Sequence, residues 1–249
     1  MAYIRRTMSA GAAAVSRARP ETGAVWAPGP RRPELGAAAL HVWQADLEVA
    51  NAGLLELLAP AERARAARIA RPRERALWAR GRGVLRALLG RYLRADPRAP
   101  ALLCGEHGKP ALAGGALHFN LSHSGGRALY AFAPGTPVGV DLELLRDPAR
   151  RARADYPALA RRAFGAQAAG LLGAMPSREL REAEFMRLWT RHEAALKLRG
   201  AGLGSGGPPG PPPGWEQELD VGPGAVAIVA AEDAPRELRL WRWDGLAAR

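Results

Sequence analysis

Near the middle of the chain, Pro134-Gly135-Thr136-Pro137 separates two apolar runs, Ala128–Ala133 and Val138–Leu144, each of which predicts a β-strand. Two prolines and a glycine within four residues remove backbone donors and restrict φ, so no regular element can pass through them. The chain must turn here, and the elements on either side follow a similar order. Upstream, Leu40–Leu47 alternates apolar and polar residues as a strand does. Leu54–Ala70 predicts a helix with Pro60 at a helix start, and Arg75–Leu93 predicts a second. In that second helix Leu77, Val84, Leu85, Leu88, Leu89 and Tyr92 form one apolar stripe, weakened locally by Gly81 and Gly83. A strand over 116–121 and a Ser/Gly turn at Ser122–Gly126 complete this half.

Downstream, Tyr156–Leu172 reads as mostly helical and Glu179–Leu198 as a long amphipathic helix. Strands follow at Val226–Ala230 and Leu238–Trp243, after a Gly/Pro segment, Gly204–Gly214, that predicts an exposed loop. The expected fold class is α+β, with two similar halves, residues 35–134 and 135–249, behind a basic tail of residues 1–34.

The 249 residues suffice for a sizeable core, and no apolar run approaches the roughly 18 residues a membrane helix needs. One cysteine, Cys104, allows no internal disulfide and no thiolate metal cluster, which fits a reducing cytosol. Residues Met1–Pro33 hold six arginines against one glutamate. Arg5-Arg6 invites comparison with a twin-arginine export signal, but the hydrophobic region that should follow is weak, so a disordered tail is the expectation. A net charge of +12 calls for an acidic partner or ligand. Arginines spread along the whole chain and an aromatic content of 6% argue against a stacking platform for single-stranded nucleic acid.

Of 36 basic residues only two are lysines, Lys109 in His107-Gly108-Lys109-Pro110 and Lys197 at the end of Trp189–Lys197. A lysine ammonium is a compact, movable point charge suited to a single phosphate oxygen, where arginine is a planar fork. In Val138-Gly139-Val140-Asp141-Leu142-Glu143, strand periodicity puts Asp141 and Glu143 on one face and Val140 and Leu142 on the other. Two carboxylates on one face suit a hard divalent cation such as Mg²⁺, or else a solvated face paired to arginines. Glu193 and Lys197 stand four apart on a helix, a spacing that an ordinary surface ion pair also has. His192-Glu193-Ala194-Ala195 begins like a zinc-protease helix, but Leu196 occupies the place of the second histidine. Phe119-Asn120-Leu121-Ser122-His123-Ser124-Gly125-Gly126 offers hydroxyls, an imidazole and turn amides, a set that can bind phosphate or simply cap itself.

The order of these segments is more specific than any one of them. G-K-P, F-N-L-S-H-S, V-G-V-D-L-E and W-T-x-x-E-A-x-x-K-x-x-G-x-G-L together resemble the 4′-phosphopantetheinyl transferases, of the monomeric, two-lobed Sfp-like type, from about Leu57 to Leu203. The resemblance implies two α+β lobes related by pseudo-twofold symmetry, each an antiparallel sheet packed on a long helix, with the active site between them. It implies transfer of phosphopantetheine from coenzyme A to a serine of an acyl, peptidyl or aryl carrier protein, with adenosine 3′,5′-bisphosphate as by-product. Asp141, Glu143 and Glu193 then stand as Mg²⁺ ligands (Mn²⁺ being the alternative), Glu193 also as general base, and Lys197 as the cation holding a pyrophosphate oxygen. His107, Gly108 and Lys109 would line the nucleotide pocket, Ser122 and His123 would touch phosphates, and Arg65 would meet the 3′-phosphate. Acidic carriers, a cytoplasmic monomer, secondary-metabolite pathways, and no membrane or nucleic-acid partner are the corresponding expectations.

Three departures stand out: His192 where the family motif has lysine, the Gly204–Gly214 insertion, and the N-terminal extension. Two other readings compete: a Mg²⁺-dependent nuclease using Asp141, Glu143 and Lys197, and a non-enzymatic nucleic-acid-binding protein whose carboxylates are surface pairs. Neither gives the G-K-P and S-H-S segments a role.

Overall fold

Strand alternation divides the apolar residues between faces, and helices cover the faces that remain. The structure is a computed structural model that describes residues 25–49, 53–104, 110–115, 117–145, 154–200 and 211–246. Its strands are β1 (Ala27–Pro28), β2 (Ala39–Asp46), β3 (Leu102–Cys104), β4 (Pro110–Leu112), β5 (Leu117–Ser124), β6 (Arg127–Pro134), β7 (Val138–Leu144), β8 (Trp215–Leu219), β9 (Ala225–Ala231) and β10 (Glu237–Arg242). Its helices are α1 (Gly53–Glu56), α2 (Pro60–Ala67), α3 (Pro72–Leu93), α4 (Tyr156–Phe164), α5 (Ala166–Gly173) and α6 (Arg178–Arg199).

Five strands form one sheet in the order β1-β10-β2-β6-β5, and three form another in the order β7-β9-β8; β3 and β4 pair separately. Between the two larger sheets lies a core of Leu40, Val42, Leu129 and Ala131 on one side and Val138, Val140, Leu142 and Val229 on the other. The far face of the five-stranded sheet carries Trp43, Tyr130 and Phe132, which pack on Leu85, Leu88 and Leu89 of α3. The far face of the three-stranded sheet carries Ile228 and Ala230 under Ala194 and Leu198 of α6. The result is a mixed α/β fold layered helix, sheet, sheet, helix.

Sequence halves and sheets do not coincide. β10 belongs to the second half of the chain but pairs in parallel with β2, so the five-stranded sheet is mixed and not purely antiparallel. Elements expected as single helices are also divided. The Leu54–Ala70 segment breaks into α1 and α2 because Ala59, ahead of Pro60, is held extended at ψ 158°. The Tyr156–Leu172 segment breaks at Gly165, whose φ of 89° no helix contains. By contrast α3 runs unbroken through both glycines, and a side chain at Gly83 would collide with Leu54 of α1.

α2 is tied to α3 by a largely buried ion triad. Glu62 lies 2.5 Å from Arg86 and 3.5 Å from Arg82, and also accepts from the Ala59 amide at the start of its own helix. Arg86 further donates to the carbonyls of Pro97, Arg98 and Pro100, so its charge is enclosed by acceptors. Among the described residues no helix is long and apolar enough to cross a membrane.

Candidate active site

β7 is an edge strand, and its open edge lies beside β5. The two strands are joined by side chains: Asn120 Oδ1 accepts from the Val140 amide at 2.9 Å, and Ser124 Oγ accepts from the Leu144 amide at 3.2 Å. Asn120, Ser122 and Ser124 share one face because strand side chains alternate. The strand therefore continues through Ser122 and Ser124, where sequence composition predicts a turn; the turn itself is Gly125-Gly126.

Gly139 sets the distance of the third element. A Cβ there would overlap the carbonyl oxygen of Ala194 and come within 2.6 Å of the Leu198 amide nitrogen, so only glycine lets α6 lie directly on β7. Asp141 follows two residues later on the same face, beneath the turn that carries Glu193 and Lys197. Helix α6 starts at the Ser177 cap and ends where Gly200 takes a left-handed φ of 72°, which leaves Lys197 in the last turn. Val140 and Leu142 point into the inter-sheet core, as strand periodicity requires.

These elements bring Ser122, Asp141, Glu143, Glu193 and Lys197 together. Lys197 Nζ donates to Asp141 Oδ1 at 2.6 Å and to Ser122 Oγ at 2.9 Å, and Ser122 Oγ donates to Asp141 Oδ1 at 2.8 Å. Ser122 thus uses its one hydrogen on Asp141 while accepting from Lys197, an arrangement that orients both charges. Ser124 Oγ donates to Glu143 Oε2 at 3.2 Å. Asp141 is 3% exposed and Glu193 5% exposed. Burial first, then the charge of Asp141, raises the Glu193 pKa to about 7, while Lys197 opposes that rise and Glu143 adds to it.

The carboxylates fit a hard cation. Asp141 Oδ2 is buried without a hydrogen-bond partner, and burial together with the neighbouring negative charges of Asp141 and Glu143 raises the Glu193 pKa, a cost that a bound cation would relieve. Among the described residues no three acidic, histidine or cysteine side chains close into a ready-made metal cage. A hard cation such as Mg²⁺ takes carboxylate oxygens together with water or substrate-phosphate ligands, so it does not need a cage closed by side chains alone.

The remaining candidates are distributed as follows. His123 projects from the opposite face of β5 and is exposed; desolvation of its ring, and then the Lys197 ammonium, lower its pKa. His192 packs edge-on against Phe164, with ring centroids 5.8 Å apart, and desolvation followed by Arg199 lowers its pKa. It is part of an aromatic cluster with Trp189 and Phe185. Arg65 is stacked on Trp78, with Arg82 also over that ring, and has no described contact with the carboxylates. His107, Gly108 and Lys109 lie outside the described residues. Sequence reasoning assigned no role to Asn120 or Gly139, and placed Ser124 in a phosphate-binding or self-capping turn where the structure has it joining β5 to Leu144 and Glu143 of β7. The available signals were the strand parity shared with Ser122 and a lone glycine inside a strand.

The sequence model of the 4′-phosphopantetheinyl transferase superfamily matches residues 137–245, the stretch that contains β7 and α6. HetI of Nostoc sp., a 4′-phosphopantetheinyl transferase, is 36% identical over 185 residues, covering 72% of this chain and 76% of HetI. AcpT of Salmonella typhi, also a 4′-phosphopantetheinyl transferase, is 40% identical over 124 residues, covering 47% of this chain and 61% of AcpT. The chain belongs to the 4′-phosphopantetheinyl transferase family.

Proposed function

We propose that the protein transfers the 4′-phosphopantetheine group of coenzyme A to a serine hydroxyl of an apo carrier protein, releasing adenosine 3′,5′-bisphosphate. The observation that carries this reading is the meeting of Asp141, Glu143 and Glu193 with Lys197 at the junction of β5, β7 and α6. Phosphoryl-centre transfer needs positioning and charge neutralisation more than covalent help from the protein, and this junction offers both. Asp141, Glu143 and Glu193 would hold Mg²⁺, or Mn²⁺ in its place. The metal ion, when bound, neutralises charge growing on the pyrophosphate.

Lys197 leaves Asp141 for a pyrophosphate oxygen, which its four-carbon stem permits. Glu193, ionising near neutral pH, accepts the serine proton directly or through water. Ser122 keeps Asp141 and Lys197 in register, and His123 donates to a phosphate oxygen. His107, Gly108 and Lys109 line the nucleotide pocket, and Arg65 meets the 3′-phosphate. The protein is a monomer of two lobes related by pseudo-twofold symmetry, with coenzyme A bound at the junction of β5, β7 and α6 and not in the packed core between the sheets. Acidic carriers of secondary metabolism in the cytoplasm are the partners that the +12 charge fits best.

The test is in-gel detection of a fluorescent coenzyme A analogue transferred to apo carriers. Wild-type protein should label the carrier and Asp141→Ala should not. Equal labelling by both would remove Asp141 from the mechanism.

A further inference from the structure

On the α3 side of the five-stranded sheet lies a second concave site. It is a cavity of about 430 Å³ whose wall includes Arg31, Arg32, Arg91, Arg94 and Trp243. Its lining residues come from the end of α3, the segment before β2 and the residues after β10, whereas the carboxylate site lies beside β5 at the opposite edge of the sheet, and the two share no residue.

Its inner wall is built. The Arg91 guanidinium lies 4.4 Å from the Trp243 ring centroid and 5.5 Å from that of Trp43. It donates to the carbonyls of Pro30 and Gly245 at 3.4 and 2.8 Å and pairs with Asp244 at 3.0 Å. Arg91 therefore fastens to α3 the two segments whose neighbouring residues, Arg31-Arg32 and Trp243, face the cavity. Among the described residues Asp244 is the only carboxylate paired to any of these four arginines, leaving three cationic side chains around one hollow. Arg94 caps α3 at φ 52°, the only described non-glycine residue with positive φ.

Arg91 and Arg94 suit the negative end of α3, but Arg31 and Arg32 are not on that helix and owe nothing to it. The repulsion of an anion by that helix end is confined to its last turn, and three guanidiniums outweigh it. The volume lies in the range of small-molecule sites and is too small for a folded domain. We infer that this cavity is a second anion site, which takes a multiply charged phosphate compound independently of the transfer cleft.

The test is calorimetric titration of the full chain with inorganic triphosphate in EDTA. Wild-type protein and three variants would be compared: Lys197→Ala, the triple Arg31→Gln/Arg32→Gln/Arg94→Gln, and a charge-matched triple Arg161→Gln/Arg162→Gln/Arg236→Gln. A binding event should survive Lys197→Ala and the charge-matched triple, and weaken about tenfold or more in the cavity triple. The cavity triple should transfer phosphopantetheine at the wild-type rate, which separates this site from the cleft. Loss of all binding in Lys197→Ala, equal weakening in both triples, or no weakening in the cavity triple would each overturn the inference.

Discussion

Glu193 sits desolvated among like charges, and that governs how it responds to pH. Its folded pKa of about 7 lies above the ordinary 4.5, so between these values the folded state holds a proton that the unfolded chain releases. The stability it contributes is full below the unfolded pKa and is lost as pH rises through about 7. A divalent cation on this carboxylate would favour its ionised form, so binding of Mg²⁺ should strengthen as pH rises toward and through about 7, which metal titrations across that range would show. Glu193→Gln removes the repulsion at every pH. It should lower transfer by about 100-fold or more. It should also raise the melting temperature at pH 8, by about 2–4 °C per kcal/mol recovered. A variant less stable than wild type at pH 8 would contradict this reading. Ser122→Ala should weaken Mg²⁺ binding by about 10–100-fold with an unchanged circular dichroism spectrum, because Ser122 orients Asp141.

At the scale of elements, the contact between β7 and α6 decides whether a site exists. Gly139→Ala inserts a methyl group against the helix backbone and should destabilise the fold by about 1–3 kcal/mol, read as a lowered melting temperature. Transfer should fall further than stability, since Glu193 and Lys197 ride on the displaced helix. A fully active, equally stable variant would show that the approach of α6 is not what assembles the site. β7 itself is legible in the sequence, because its alternation is strong and the Pro134–Pro137 break bounds it. β3 and β4, three residues each, are too short to carry a period, and β8 has polar Glu216, Gln217 and Glu218 in succession. Ser122 and Ser124 read locally as turn formers. Their place in a strand is fixed by carboxylates and amides 19 to 20 residues away, a tertiary fact that no local window contains.

At the scale of the molecule, the return of β10 to the first sheet is the feature that a linear reading cannot supply. Its alternation identifies a strand, but not its partner. Leu240 enters the inter-sheet core while Trp241 packs on the α3 side, so both layers depend on it. Removing residues 236–249 should therefore unfold the five-stranded sheet and not merely trim the second half. Loss of dispersed amide resonances would register this, and a folded truncated protein would refute it. The +12 charge makes a second global expectation: transfer to an acidic carrier should slow as ionic strength rises, through weaker association. All of this rests on the reaction itself. The most direct measurement is intact-mass spectrometry of apo acyl, peptidyl and aryl carriers incubated with the protein, coenzyme A and Mg²⁺, with EDTA in a parallel arm. The expected result is a gain of one phosphopantetheine on a carrier, abolished by EDTA. Unchanged masses across the whole panel, from folded protein that binds coenzyme A, would contradict it.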